Sequence, residues 1–132
     1  MENKSSQEVC MCALDGTMDL LGRKWVLFTI NAIGNHGSVR FKDLYSELRG
    51  ISPSTLSSIL HQLEIKGVVN RRSYAEIPPR VEYSLTENGG SLRKAILPLL
   101  VWASRQDDYS KQAETCDAAQ FVKVSLAGNY RA

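Results

Sequence analysis

The sequence predicts a mainly α-helical chain carrying one small β-hairpin, an α+β fold with a winged arrangement of its elements. Three observations predict it. Apolar residues recur at helical spacing through the first half and again near residues 87–108, two alternating segments lie between residues 68 and 85, and 132 residues with 43% hydrophobic content suit a single modest core. The division expected is a flexible N-terminal segment over 1–12, a folded domain over 13–108 and a C-terminal tail over 109–132.

Each element has a local reason. Leu14, Met18, Leu21 and Trp25 fall at i, i+4, i+7 and i+11, which gives an amphipathic helix near 14–21 broken at Gly22. Residues 25–33 are apolar on nearly every side, so they predict a second helix enclosed by neighbours at the centre of the core. Gly34 to Ser38 is turn chemistry, and Val39-Arg40-Phe41 suits a very short strand. Phe41, Leu44 and Leu48 return to helical spacing, predicting a helix over about 42–48.

After a connection containing Gly50, Ser52-Pro53 starts a helix over about 53–66. The Ser oxygen caps a free amide, and Pro at the first helical position sacrifices no hydrogen bond. Two short helices joined by a tight glycine-containing turn make a helix-turn-helix candidate. Val68 to Tyr74 and Val81 to Leu85 alternate as strands around a stiff tip holding Pro78 and Pro79. Thr86 then caps a long last helix over about 87–108.

The 53–66 helix has two unlike sides. At 100° per residue from Leu56, Leu60, Leu63 and Ile59 fall within 60° of it, one buried stripe. Ser57, His61, Ser54 and Ser58 occupy 100° to 200°, with Thr55 and Gln62 flanking near 250°. Solvated helix faces ordinarily carry Glu and Lys, whereas Ser and Thr are poorer helix formers. Short hydroxyls, an amide and an imidazole let a helix approach a major groove and exchange hydrogen bonds with base edges and phosphates.

Bulk charge is uninformative, because sixteen Lys and Arg against fourteen Asp and Glu leave +2. Resolved along the chain it is −3 over residues 1–22, +4 over 23–82 and +1 over 83–132. The positive excess coincides with the helix-turn-helix and the hairpin, which carry Arg40, Arg71, Arg72 and Arg80. Together with Ser52, Ser54, Thr55, Ser57, Ser58 and His61 these form the expected DNA-binding set, with Arg80 at a proline-stiffened tip aimed at a phosphate or a minor groove.

The stretches Met18-Asp19-Leu20-Leu21-Gly22-Arg23-Lys24-Trp25, Arg40-Phe41-Lys42-Asp43-Leu44, Gly50-Ile51-Ser52 and Pro78-Pro79-Arg80-Val81-Glu82-Tyr83-Ser84-Leu85-Thr86 resemble the HxlR-type, MarR-related winged helix-turn-helix transcription regulators over about residues 12–103. That resemblance implies a dimeric repressor or activator of double-stranded DNA whose recognition helix is the 53–66 helix and whose wing carries Arg80. Ser54, Ser57 and Ser58 stand where many relatives have larger Gln or Arg side chains, so the relatives' operator does not carry over. The alternative class is a winged helix used only for protein contacts.

In the last helix Leu92, Ile96, Leu99 and Ala103 share one face while Leu97 and Val101 project from the other, which predicts a homodimer through the terminal helices. Cys12 occupies the position of the family's N-terminal cysteine, although Ala13 replaces its customary following Pro. It is a candidate thiol sensor or else a small buried hydrophobe, with Cys10 or Cys116 as candidate resolving partners. The odd cysteine count and the absence of an apolar leader predict a cytoplasmic protein with reduced thiols. Cys-x-Cys spacing and the scattered His36 and His61 argue against a metal site or a catalytic constellation, and no cofactor is expected.

Overall fold

A computed structural model describes residues 7–106. Its elements are α1 (Met11–Leu21), α2 (Lys24–His36), β1 (Ser38–Arg40), α3 (Phe41–Glu47), α4 (Pro53–Ile65), β2 (Val69–Tyr74), β3 (Arg80–Leu85) and α5 (Glu87–Ser104). The order matches the sequence reading, and the fold is winged-helix. Residues 109–132, assigned to the tail, lie outside the described residues.

The core closes on α2. Val26, Thr29, Ile30, Asn31, Ala32 and Ile33 are all buried, so nearly every side of this helix meets protein. Leu44, Leu56, Ile59, Leu60, Leu63, Val39, Val69 and Ile96 complete the cluster from the surrounding elements. Thr29 is buried without cost because its hydroxyl donates to the Trp25 carbonyl at 2.6 Å.

Helix α2 runs three residues further than its apolar stretch, through the predicted turn at Gly34 to His36. The reason lies in α5. Arg93 crosses α2 at Gly34, where a β-carbon would run into its side chain, and its Nη2 donates to Asn35 Oδ1 at 2.6 Å and to Asn31 Oδ1 at 3.4 Å. Burial lowers the Arg93 guanidinium pKa from its ordinary value. The turn is confined to Gly37, whose amide closes the helix on the Ile33 carbonyl at 2.9 Å.

Other boundaries move slightly. Helix α1 begins at Met11 rather than near 14, and its N-cap, Cys10, offers no side-chain hydrogen bond, so no capping signal marked the start. Phe41 opens α3 instead of closing β1, and Arg40 is the extended residue before it. On α5, Leu97 is buried along with Ile96, whereas Leu99 and Trp102 are the exposed large apolar residues. The two-faced pattern expected of Leu97 and Val101 is thus corrected: Leu97 is covered, Val101 is half-buried, and the outward stripe passes through Leu99 and Trp102.

The sheet is antiparallel with order β1-β3-β2, so β1 adds a third strand to the predicted hairpin. Its attachment to the helices depends on two small motifs. At the end of α4 the Gly67 amide reaches the Glu64 carbonyl at 3.0 Å and the Val68 amide reaches Leu63 at 2.9 Å, with Gly67 at φ 73°. This closing pair of bonds needs a left-handed residue, which glycine supplies without strain. Thr86 is the second: its hydroxyl accepts from the Gly89 amide at 2.9 Å, capping α5, and donates to the Gly67 carbonyl at 2.6 Å. Its own amide donates to the Val68 carbonyl at 3.0 Å.

Gly89 sits so close beneath that junction that a β-carbon would collide with the Val68 carbonyl oxygen. Gly89→Ala is therefore expected to destabilise the domain by about 1–3 kcal/mol, the usual cost of overpacking. The measurement is the thermal unfolding midpoint; an unchanged midpoint would refute this account of the junction.

Candidate nucleic-acid interface

Helix α4 is set by its own sequence. Ser52 is extended at φ −84° and ψ 153°, accepts from the Thr55 amide at 3.1 Å, and is followed by Pro53 at the first helical position. Its hydroxyl also donates to Thr55 Oγ1 at 2.7 Å and lies 3.3 Å from Ser54 Oγ. Ser52 and Thr55 are thus engaged in holding the helix start. The apolar stripe Leu56, Ile59, Leu60 and Leu63 is buried to 1% exposure or less.

Ser54, Ser57, Ser58 and His61 are exposed on the other side, as the helical wheel places them. Among the described residues Ser57, Ser58 and His61 make no side-chain hydrogen bond, so their donors and acceptors point outward without partners. A rigid helix therefore carries a short, polar face with no charge except at its C-terminal margin, where Glu64 and Lys66 follow.

The wing arginines are divided by strand alternation. In β2, Val69, Arg71 and Ser73 share one face and Asn70, Arg72 and Tyr74 the other. Arg72 and Arg40 both lie opposite Glu82, one from each neighbouring strand, so Arg40, Glu82 and Arg72 form a row across the sheet. Arg80 lies opposite Tyr74 on that same face. Arg71 is on the face that Val69, Tyr83 and Leu85 turn toward the core, and its Nη1 donates to Ser73 Oγ at 3.3 Å.

Arg80 does not extend freely from the wing tip. It is the first residue of β3, its side chain is 27% exposed, and its guanidinium lies 4.0 Å from the centre of the Tyr74 ring. Nη2 is 3.4 Å from Glu76 Oε1 and Nε 3.3 Å from Glu82 Oε2. The Nε proton is not aligned with either carboxylate, so that pairing is Coulombic rather than a directed hydrogen bond. Glu82 is held in turn by the Ser38 hydroxyl at 2.8 Å. The Glu76 and Glu82 clamp was not foreseen from the sequence, although an acid four residues before Arg80 and another two after it are the signal that could have shown it.

Near the N-terminus, Cys12 is the second residue of α1, is exposed, and is joined by a disulfide to Cys10. This corrects the expectation of reduced thiols: the short spacing brings the two sulfurs together at the helix start. It also removes the reading of Cys12 as a buried hydrophobe. Cys116 lies outside the described residues. Among the described residues there is no group of three or more His, Cys, Asp or Glu able to hold a metal ion, and no helix long and apolar enough to cross a membrane.

A capped recognition-type helix behind a turn, followed by a three-stranded sheet with a basic row and a long terminal helix, defines a winged helix-turn-helix protein. The HxlR-like helix-turn-helix family model matches residues 20–111, and the chain belongs to that family of transcription regulators. It is 37% identical over 92 residues, 70% of this chain and 81% of the relative, to an HTH-type transcriptional regulator of Halalkalibacterium halodurans. Its fold is similar to that of an HxlR family transcriptional factor from Thermoplasma volcanium, with TM-score 0.65, 35% identity, and coverage of 79% of this chain and 93% of that one. It is also similar to the redox regulator HypR in its oxidized form, with TM-score 0.67, 33% identity, and coverage of 74% and 99%.

The N-terminal cap of α4 gives a direct check on how the candidate face is held. Ser52→Ala should cost about 1 kcal/mol, while Ser52→Asp keeps the cap and most of the stability. Chemical denaturation of the two variants measures the difference, and equal loss in both would contradict the capping role.

Proposed function

We propose that this chain is a cytoplasmic, sequence-specific regulator of transcription that binds double-stranded DNA as a homodimer, with α4 in the major groove and the β2–β3 wing against the backbone or the minor groove. The observation that carries this reading is the contrast on α4. Four residues are buried to hold it rigid, and the opposite face presents Ser54, Ser57, Ser58 and His61 to the outside. A protein-docking face would be apolar, yet Ile65 is the single large apolar side chain exposed on this helix. Folded residues 13–108 and a separate 109–132 tail are part of the same reading.

Dimerisation is supported by apolar side chains left exposed on both terminal helices: Met18 on α1, and Leu99 and Trp102 on α5 are each more than half exposed. A two-fold pair would set its recognition helices about 34 Å apart, one turn of DNA. In this arrangement Ser52 and Thr55 position the helix start, Ser54, Ser57, Ser58 and His61 meet base edges and phosphates, and Arg40, Arg71 and Arg72 contact the backbone. Arg80 reaches a phosphate by exchanging Glu76 and Glu82 for it.

Affinity for duplex DNA measured against salt tests the proposal. Log K should fall linearly with log salt, since each phosphate contact releases a condensed counterion. Arg80→Ala should weaken all duplexes alike, whereas Ser58→Ala and His61→Ala should alter sequence preference. Absence of duplex binding at every salt concentration, or equal sequence-independent losses from all three variants, would overturn the assignment.

Thiol responsiveness belongs to the same proposal. Cys10 and Cys12 are exposed, bonded to each other and placed at the start of a helix offered for dimerisation, and HypR is a redox regulator by name. Two thiols oxidised by diamide form this disulfide, the diamide being reduced to its hydrazine. Diamide should shift the DNA affinity of the reduced protein and leave a Cys12→Ser protein unaffected. A full response in Cys12→Ser would refute Cys12 as the sensor.

A further inference from the structure

We infer that Arg23, a residue outside the helix-turn-helix and the wing, is a phosphate-backbone contact that clamps one DNA strand against the edge of α4; the inference rests on the DNA-binding reading above. Gly22 and Arg23 form the two-residue corner between α1 and α2. The backbone of Arg23 is fixed there, because its carbonyl accepts from the Val26 amide at 3.1 Å and the Leu27 amide at 3.3 Å. Its side chain is exposed, and among the described residues no carboxylate lies within 4.0 Å of it. The wing's Arg80 is already engaged with two acids; the corner's Arg23 is not.

A cleft of about 430 Å³ separates Arg23 and Trp25 from Ser54, Thr55, Ser58 and Ile59 of α4. One wall is a cation and an indole, the other a series of hydroxyls on the helix whose outer face is offered to the groove. No acidic residue lines it. Asp19 borders a separate cleft that Arg23 also touches, together with Lys66, and does not pair with Arg23. When α4 enters a major groove, the flanking sugar-phosphate strand must pass along one edge of the helix, and this cleft lies along such an edge. A guanidinium facing hydroxyls across it suits an anionic ester oxygen: Arg23 supplies charge and two donors, while Ser54 at the start of α4 supplies a neutral donor.

The experiment uses a duplex selected from a random-sequence pool by the wild-type protein, with affinity read by fluorescence anisotropy over a series of salt concentrations. Arg23→Ala should bind about tenfold more weakly, and its slope of log K against log salt should be shallower by about one per subunit. Arg23→Lys should keep the slope, and the relative ranking of different duplexes should not change in either variant. A merely structural role would lower the unfolding midpoint and leave the slope alone, and Arg23→Gln serves as the second charge-removing variant should the alanine protein fail to fold. If wild-type protein selects no duplex, the DNA-binding reading fails; if it does and charge removal leaves slope and affinity unchanged, the Arg23 contact alone is overturned.

Discussion

The burial of α2 on nearly every side is the constraint on which the remaining architecture depends. Val26, Ile30 and Ile33 are fully enclosed, and α4 meets that cluster with Leu56, Ile59, Leu60 and Leu63. Each such side chain contributes about 1.5–3 kcal/mol when removed from water, so rolling α4 by even one residue would expose several of them at once. The roll of α4 is thereby determined by apolar packing, and its polar face is whatever the packing leaves outside. On the proposed reading, the side chains that hold α4 in place and those that meet DNA lie on opposite sides of one short helix, so Ser57, Ser58 and His61 can be substituted without touching the buried stripe.

Much of this was legible because it is local. The wheel of α4 separated its buried stripe from its exposed face, Ser52-Pro53 marked its start and Thr86 the cap of α5, since each signal involves residues within a few positions of one another. Strand alternation likewise separated Arg71 from Arg72. The features that escaped depend on distant partners. The extension of α2 past Gly34 is stabilised by Arg93, about sixty residues later, and a glycine in isolation reads as a turn. Which α5 residues face outward depends on where the helix lies against α2, and helical spacing alone could not tell Leu97 from Leu99. The Arg80 clamp is intermediate, since Glu76 is local and Glu82 is strand-mate, yet Ser38 completes it from another strand.

The electrostatics show why a net charge is a poor guide to a binding surface. The +4 excess over residues 23–82 is not spread evenly. Glu76 and Glu82 offset it on the wing, while Arg23 and Lys24 at the α1–α2 corner lack carboxylate partners among the described residues. Lys24 instead stands 4.9 Å from the Trp25 ring centre, which holds its ammonium near the surface.

Thr86 links three segments through a single side chain and its own amide: the exit of α4 at Gly67, the approach to β2 at Val68, and the first turn of α5 at Gly89. These bonds leave no slack joint between the long terminal helix and the base of the wing. A rotation of α5 would have to stretch or break the bonds of Thr86 to Gly67 and Val68, so the start of the terminal helix and the exit of α4 are tethered through one threonine.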